Sequence, residues 1–197
     1  MQLQVEIEKT FGKLTDEQFF QFCLANKDRL RIERDENGQI LLMPPTGLET
    51  GKYNATLTYW FVKWNFENNN PGTVFDSSSG FTLPDTSVKS PDVSWLSHEK
   101  WDSLSEEEKK RFSKIVPEFV LELRSESDEL KPLKNKMEKW LENGVQLGWL
   151  IDTKNETTYI YQEGKEPDSK PFTEDLSGEN ILKGFSINLK TFFENML

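Results

Sequence analysis

The sequence has almost none of the two residue types that most often bind transition metals. Cys23 is its only cysteine and His98 its only histidine. A single cysteine excludes an intrachain disulfide and a thiolate-rich zinc site. A single histidine excludes a multi-histidine metal site, and His98, which lies in a polar stretch beside Trp101, is interpreted as a surface residue. Carboxylates and lysines are therefore the residues in which to look for chemistry.

Long apolar runs are also missing, which predicts that no segment spans a membrane. The first residues, MQLQVEIEKTFGK, lack the charged-then-apolar pattern of a signal peptide, so a cytoplasmic location is expected. Hydrophobic residues still make up 35% of the 197 residues, with 14 Phe, 6 Trp and 4 Tyr. This supply is enough for one well-packed core, and the length is short for two domains. A single domain over residues 1–197 is the expectation.

Positive charge is scarce as well. There are 24 Lys and Arg residues against 34 Asp and Glu, for a net charge of -10. Taken alone, this balance argues against a nucleic-acid partner, because phosphate binding is driven largely by Lys and Arg. The charge is uneven, however, since residues 109–139 hold nine basic residues against six acidic ones. This window permits phosphate binding, although solvated helix faces explain it at least as well.

The first third of the chain shows clear local patterns. A short helix is predicted from Thr15 to Leu24. A hairpin is predicted at LRIERDENGQILLM, because Asn37-Gly38 is the dipeptide that type I′ turns prefer. A long helix is predicted within PPTGLETGKYNATLTYWFVKWNFENNNPG, with one buried face. That face comprises Tyr53, Leu57, Trp60, Phe61 and Trp64.

The remaining two thirds alternate between strand and helix patterns. Strands are predicted in TVFDSSSGFTLP, PDVSWLS, EFVLELRS, LGWLID, TTYIYQ and LKGFSINL. Helices are predicted in SLSEEEKKRF, LKNKMEKWLENG and KTFFENML. Strands interrupted by two long helices indicate an α/β or α+β fold. We expect a mixed central β-sheet flanked by helices, preceded by an N-terminal helix and β-hairpin.

One carboxylate interrupts an otherwise apolar strand. Glu122 lies between Leu121 and Leu123 in EFVLELRS. Taking an ionised carboxylate out of water costs several kcal/mol unless it is paired or coordinates a cation. Arg124, two residues along on the same strand face, is one possible partner. A bound cation is the other.

Two further acids have both a structural and a functional interpretation. Asp92 follows Pro91 at the start of the strand PDVSWLS, where a turn-forming aspartate is common. Glu49 precedes Tyr53 by four residues and so extends the buried face of the long helix by one turn. It also completes a capping box with Thr46, in which the glutamate bonds the amide of the cap residue.

Considered together, the acids indicate a metal site. Asp92 and Glu122 lie on separate predicted strands with a helix between them, which allows the two strands to be neighbours. Two such carboxylates and a lysine suit a magnesium-dependent phosphodiesterase. Mg²⁺ takes one or two protein carboxylates together with phosphate and water, and a lysine stabilises charge that develops on the phosphorane.

Several segments in order along most of the chain resemble the Uma family of endonucleases, in the PD-(D/E)XK (restriction-endonuclease-like) superfamily. The segments are ILLMPPTG, FDSSSGF, SPDVSWL, VPEFVLELRSESD, LKNKMEKWLENGVQLGWLID and LKGFSINL. The resemblance implies a restriction-endonuclease-like fold. It also implies a nuclease core at residues 46–152, between the N-terminal helix and hairpin (1–45) and the C-terminal strands and helix (153–197).

The resemblance also implies roles for individual residues. Asp92 and Glu122, with the backbone carbonyl of Leu123, would bind Mg²⁺ (or Mn²⁺), and Glu49 would support this metal or a second ion. The superfamily pattern places a lysine at position 124, where this chain has an arginine, which essentially never deprotonates. In this family the lysine lies on the following helix, where Lys136 is the match and Lys134 the alternative. As a residue that is not a metal ligand, Lys136 is expected to serve the chemistry more than the fold.

The resulting hypothesis is a metal-dependent endonuclease that hydrolyses phosphodiester bonds in DNA and acts as a homodimer. The alternative is a catalytically inactive module that keeps the fold and assembles through exposed aromatic residues. Intact acids at positions 49, 92 and 122 favour the enzyme, whereas the overall acidity and Arg124 favour the module. Trp95, Trp101 and Trp149 are the aromatic residues suggested for such an interface, although burial in the core also explains them.

Overall fold

The computed structural model describes residues 3–5, 12–28 and 30–195, with only the backbone described for residues 3–5. The helices are α1 (Asp16–Asn26), α2 (Leu48–Glu67), α3 (His98–Ser103), α4 (Leu130–Glu142) and α5 (Leu189–Glu194). The N-terminal segment on which the cytoplasmic expectation rests lies mostly outside the described residues. So do the last two residues of the predicted C-terminal helix.

The strands are short and are distributed along the described residues, with helices between some of them. They are β1 (Leu3–Val5), β2 (Arg31–Arg34), β3 (Ile40–Met43), β4 (Gly72–Asp76), β5 (Phe81–Thr82), β6 (Val88–Lys89), β7 (Val93–Ser97), β8 (Phe119–Leu123), β9 (Leu147–Asp152), β10 (Thr157–Gln162), β11 (Asp168–Pro171), β12 (Asp175–Ser177) and β13 (Ser186–Asn188).

The central sheet has six strands in the order β11-β10-β9-β8-β7-β4. Strands β8 and β9 are parallel, and the other neighbours are antiparallel. A parallel pair needs a long crossover connection, and α4 supplies it here. The predicted mixed sheet flanked by helices is therefore confirmed.

Strand β8 is buried on both faces. Its alternate residues Phe119, Leu121 and Leu123 belong to the core that α2 covers. Val120 belongs to the core on the other face, which α4 covers with Met137 and Trp140. Because successive side chains of a strand point to opposite faces, Glu122 lies on the same face as Val120. Strand β8 thus places its one carboxylate beneath α4.

The N-terminal part forms a second sheet of five strands in the order β1-β3-β2-β6-β5. Helix α1 begins after Thr15, whose side chain forms a capping box with Gln18, and its Phe19 packs on this sheet. The β2–β3 hairpin is confirmed, but its predicted type I′ turn is wrong. That turn needs two residues with positive φ, and here only Gly38 has one. Asp35 instead closes a longer loop by accepting hydrogen bonds from the amides of Asn37 and Gln39.

Several predicted elements differ from those observed. The segment SLSEEEKKRF contains only a 3₁₀ turn, Glu108–Lys110. Helix α3 was not predicted. It begins directly after β7, where the side chain of Ser97 caps it by accepting a hydrogen bond from the Lys100 amide. On α2, Trp60 lies 40% exposed, outside the buried face.

The tryptophans suggested for an interface lie in or against the core. Trp95 and Trp149 are buried, and Trp101 packs against the core on the α4 side. Burial in the core, the other explanation of these residues, therefore accounts for Trp95 and Trp149. None of the helices in the described residues is both long enough and apolar enough to span a membrane.

Candidate active site

The pairing of β7 with β8 brings the two predicted metal-binding acids together. Val93 pairs with Leu121 in this antiparallel ladder, and one step further the register sets Asp92 next to Glu122. Asp92 also accepts a hydrogen bond of 2.8 Å from the backbone N–H of Leu123 on its Oδ2 atom. The two acids are therefore neighbours at the end of the two strands, as the sequence predicted.

A residue of α2 supports Asp92 from the other side. The side-chain amide of Asn54 donates to Oδ1 of Asp92 at 3.0 Å. Each oxygen of Asp92 thus accepts one hydrogen bond, and together the two bonds fix the orientation of this half-buried carboxylate at the strand end. A role for Asp92 in a local turn does not account for these hydrogen bonds, because Leu123 lies on the neighbouring strand and Asn54 lies on a helix.

Glu122 is 4% exposed and is compensated from α4. Its Oε1 atom accepts a hydrogen bond of 2.9 Å from the indole N–H of Trp140. The same atom lies 2.8 Å from Nζ of Lys136. Lys136 and Trp140 are four residues apart, so they lie on one face of the helix. The compensation that Glu122 needs therefore comes from α4.

The alternative partner for Glu122 is excluded. Arg124 turns to Asp152 instead, with Nη1 3.0 Å from both carboxylate oxygens. Asp152 is fully buried, and it also accepts from the amide of Lys154 in the turn after β9. The arginine therefore holds the ends of β8 and β9 together, and the suggested ion pair between Glu122 and Arg124 is wrong.

Of the two candidate lysines, only Lys136 contacts an acid of the site. Its Nζ lies 3.1 Å from Oε1 of Glu33 as well as 2.8 Å from Glu122. Nζ of Lys134 lies 3.7 Å from the ring centroid of Tyr159 on β10. Removing one partner of a buried ion pair leaves an uncompensated charge, so Lys136 also serves the fold. The expectation that it serves the chemistry more than the fold stays a prediction.

Glu49 is not joined to the other acids by a hydrogen bond or ion pair in the described residues. It is exposed, and its carboxylate accepts from the hydroxyl of Tyr53 at 2.9 Å. The capping box with Thr46 is wrong, because α2 begins one residue later, after Gly47, with no side-chain cap. The helix does reach the site, one turn further along, through Asn54.

Three contributors to the site were not predicted: Glu33, Asn54 and Trp140. Glu33 carries the same signal as Glu122, an acid within a short strand pattern, but it lies in a hairpin far away in the sequence. Asn54 and Trp140 were interpreted as ordinary helix residues. Nothing local distinguishes them, because their partners lie on other elements.

The electrostatics of the site follow from burial. Burial raises the pKa of Glu122 to about 7, with Lys136 opposing this shift and Asp92 and Glu33 adding to it. Burial also raises the pKa of Asp92, against the hydrogen bond from Leu123. On Glu33 the effect of burial is outweighed by Lys136 and Lys89, and its pKa is lowered.

Lys136 keeps its proton. Burial alone would lower the pKa of its ammonium group, but the charges of Glu122 and Glu33 outweigh burial and raise it. A lysine in this environment donates hydrogen bonds and stabilises negative charge, and it does not act as a base near neutral pH. The site therefore combines three acids with a lysine that stays protonated.

The donor atoms suit a hard divalent cation. No group of three or more His, Cys, Asp or Glu side chains in residues 3–5, 12–28 and 30–195 is arranged as a metal site. Mg²⁺, however, needs only one or two carboxylates beside water. Oε2 of Glu122 accepts no hydrogen bond from the described residues. Oδ1 of Asn54, whose amide nitrogen contacts Asp92, is buried without a partner among the described residues. The free oxygen of Glu122 and this amide oxygen fit a cation at Asp92 and Glu122.

Comparisons with known proteins give a family and a fold. A family model described as "Uma2: Putative restriction endonuclease" matches residues 16–190. A solved structure, described as a putative nuclease belonging to DUF820 from Anabaena variabilis ATCC 29413, has a TM-score of 0.70. It shares 19% sequence identity, and the match covers 84% of this chain and 91% of that one. At this identity the likeness concerns the fold. No curated protein matches the chain.

The raised pKa of Glu122 predicts a pH-dependent stability. Because its folded pKa of about 7 lies above its ordinary value of 4.5, stability from this carboxyl is complete below pH 4.5 and is lost as pH rises to about 7. Glu122→Gln cannot titrate. Its free energy of unfolding relative to the wild type should therefore rise by about 2 kcal/mol between pH 5 and pH 8.

Urea denaturation in EDTA at both pH values measures this difference. Glu126→Gln, which neutralises an exposed carboxylate of the same segment, should stay parallel to the wild type. A Glu122→Gln curve that is also parallel would show that Glu122 does not take up a proton in this range.

Proposed function

The chain belongs to the Uma2 restriction-endonuclease family, and from this premise we propose that it is a metal-dependent endonuclease that hydrolyses phosphodiester bonds in DNA. One observation carries the proposal. Two carboxylates, Asp92 and Glu122, meet at the ends of adjacent strands, and the ammonium group of Lys136 lies 2.8 Å from one of them. This is the combination of acids and a cation that such chemistry needs.

Asp92 and Glu122, with the backbone carbonyl of Leu123, would hold Mg²⁺ (or Mn²⁺). When bound, such an ion acts as a Lewis acid on phosphate oxygens and lowers the pKa of coordinated water. Asn54 and the Leu123 amide keep the Asp92 carboxylate oriented. Trp140 and Lys136 use only one oxygen of Glu122. The other oxygen is left for the cation.

Lys136 would stabilise the negative charge that develops on the phosphate. Its raised pKa keeps a proton on Nζ, so it orients the attacking water by donating a hydrogen bond and does not remove a proton from it. Glu49 keeps the supporting role that the family pattern implies for the metal or a second ion. The contact of α2 with Asp92 through Asn54 gives its helix a direct connection to the site.

The remaining parts of the proposal concern organisation. Residues 1–197 would form one nuclease domain, because the N-terminal hairpin supplies Glu33 to the same site as the central sheet. The protein would act in the cytoplasm. The protein would act as a homodimer, since a twofold pair is suited to cutting both strands of a duplex.

An apolar stripe on α2 supports the homodimer. Among the described residues, six large hydrophobic side chains are exposed, and four of them lie on this 20-residue helix: Leu48, Tyr59, Trp60 and Phe66. Leu48, Ala55, Tyr59 and Phe66 are spaced by seven, four and seven residues, which places them on one face. This series of spacings is the same whether it is counted from Leu48 or from Phe66. An antiparallel copy therefore sets Leu48 against Phe66 and Ala55 against Tyr59, as a twofold axis requires.

The second candidate function is an inactive module with this fold. The same apolar stripe would serve its assembly, so dimerisation does not distinguish the two functions. Metal binding does distinguish them. The nuclease is expected to bind a cation through Asp92 and Glu122, whereas a catalytically inactive module is not.

Mn²⁺ or Mg²⁺ should therefore raise the melting temperature of the wild type. A ligand that binds only the folded state stabilises it by about 2.7 kcal/mol at a hundred times its Kd. Asp92→Asn should abolish the shift because it removes a ligand charge while keeping the shape of the side chain. Asp168→Asn, which changes an exposed aspartate on β11 at the opposite edge of the sheet, should keep it. The absence of a shift in the wild type would favour the inactive module.

Lys136→Gln should lower Mg²⁺-dependent cleavage of plasmid DNA by about 10²-fold or more, because it removes the charge that stabilises the transition state. Lys134→Gln and Lys139→Gln, on the same helix, should cleave at close to the wild-type rate. The variants are compared well below their melting temperatures, since Lys136 also compensates two buried acids. Full activity of Lys136→Gln beside an inactive Asp92→Asn would contradict the assignment.

Phe66→Glu should dissociate the homodimer, raising its Kd by about 10²-fold, because two copies of the charge would be buried against Leu48. Sedimentation equilibrium measures this change. Leu24→Glu, at an exposed leucine on α1, is the matched control and should not affect the Kd. Adding Leu48→Lys to Phe66→Glu should recover part of the affinity. A monomeric wild type, or no recovery in the double variant, would disprove this interface.

A further inference from the structure

Glu33 is a buried acid with no role in the function proposed above. It lies on β2, outside the central sheet, and is only 1% exposed. Its Oε1 atom accepts from Nζ of Lys136 at 3.1 Å and from the backbone N–H of Ser90 at 3.0 Å. Its Oε2 atom is buried and bonds to nothing in the described residues. An unbonded buried carboxylate oxygen costs stability, so the ion pair is poorly explained as a device for stabilising the fold.

The contacts of Glu33 form a closed ring. Nζ of Lys136 also donates to the carbonyl of Ser90, at 3.4 Å. Glu33 therefore binds the lysine directly and also fixes the backbone of Ser90, which itself contacts the lysine. Ser90 stands two residues before Asp92. One carboxylate thus orients both the lysine and the segment that leads to the first metal-binding acid.

The ammonium group of Lys136 contacts three different elements. It donates hydrogen bonds to Oε1 of Glu33 on β2 and to the carbonyl of Ser90 before β7, and it forms an ion pair with Oε1 of Glu122 on β8. If Glu122 were the only anionic partner, a cation at Glu122 would compete with the lysine for the same charge. With Glu33 present, the lysine keeps an anionic partner of its own.

We propose that Glu33 is the positioning residue of Lys136. It holds Nζ between Glu122 and the Ser90 carbonyl, so that the lysine stays at the site while Glu122 and Asp92 bind the cation. Glu33 acts through the lysine and touches neither the substrate nor the reacting atoms. This role rests on the proposed nuclease function, but its geometric part can be tested without any cleavage.

A matched control exists in the same two elements. Glu36 and Lys139 lie three residues beyond Glu33 and Lys136 and form an ion pair of 3.6 Å between the hairpin and α4. This second pair is partly exposed and does not contact the acids of the site. Glu36→Gln therefore removes an acid of the same kind across the same interface and leaves the lysine of the site untouched.

The first measurement is NMR of the lysine side chains in protein labelled with ¹⁵N-lysine, without metal or DNA. The Nζ protons of Lys136, identified by their loss in Lys136→Gln, should exchange slowly in the wild type and in Glu36→Gln. In Glu33→Gln they should exchange at least tenfold faster, because one anionic acceptor is gone. Unchanged exchange in Glu33→Gln would overturn the proposal whether or not the protein is a nuclease.

The second measurement is cleavage kinetics. Glu33→Gln should lower kcat by about tenfold or more, leave KM for DNA within about threefold and keep the Mn²⁺-induced rise in melting temperature. Glu36→Gln should change none of these quantities. In the Lys136→Gln background, Glu33→Gln should have no further effect on kcat, because it acts through the lysine. Independent, multiplying losses in the double variant would overturn the proposal.

A variant that keeps the charge allows the proposal to be tested even if Glu33→Gln does not fold. If Glu33→Gln does not fold, Glu33→Asp retains the carboxylate but shortens the side chain by one methylene. The Nζ protons should then exchange at an intermediate rate, and kcat should fall by less than in a variant without the acid. Wild-type exchange and wild-type kcat in Glu33→Asp would show that the position of this carboxylate does not matter. Failure of the wild type to cleave DNA would refute the nuclease function and leave the exchange result standing.

Discussion

The ion pair between Glu122 and Lys136 is the interaction on which the rest of the site depends. Glu122 lies in the middle of the sheet, on a strand whose five residues are all buried, and a lone carboxylate there would be costly. Helix α4 supplies the compensation because it crosses over between the parallel strands β8 and β9. The connection that makes a parallel pair possible is therefore also the element that makes the buried acid tolerable.

Compensation at this site is incomplete. Three acids, Glu33, Asp92 and Glu122, lie around the ammonium group of Lys136, with Lys89 adding positive charge near Glu33 and Arg31 near Asp92. Burial raises the pKa of Asp92 and Glu122, which shows that the lysine does not fully offset their desolvation. A divalent cation would supply the missing charge. An acidic protein can in this way bind a polyanion, because the proposed metal and the lysine place positive charge at the site despite the negative net charge of the whole chain.

Helix α2 serves two regions of the molecule. Leu57, Phe61 and Trp64 pack on the face of the central sheet opposite α4, and Asn54 holds Asp92 at the strand end. Its outer face carries the apolar stripe of the proposed dimer. A rigid 20-residue helix that contacts both places would keep two active sites at a fixed separation, as two cuts across one duplex require.

The sequence by itself predicted the mixed sheet, the helices α2 and α4, and a buried carboxylate at position 122 that needs a partner, because an acid inside an apolar strand is a local signal. The choice of Asp92 and of a lysine on α4 came from the family resemblance. The tertiary structure alone decided between Lys134 and Lys136 as the neighbour of Glu122, gave Arg124 to Asp152, and added Glu33, Asn54 and Trp140. The turn of the β2–β3 hairpin and the exposed position of Trp60 were likewise decided by packing. The reason is physical. Strand and helix periodicity is set by neighbours in the chain, whereas the partner of a buried charge is set by which elements fold against it, and Glu33 and Lys136 meet from opposite parts of the sequence.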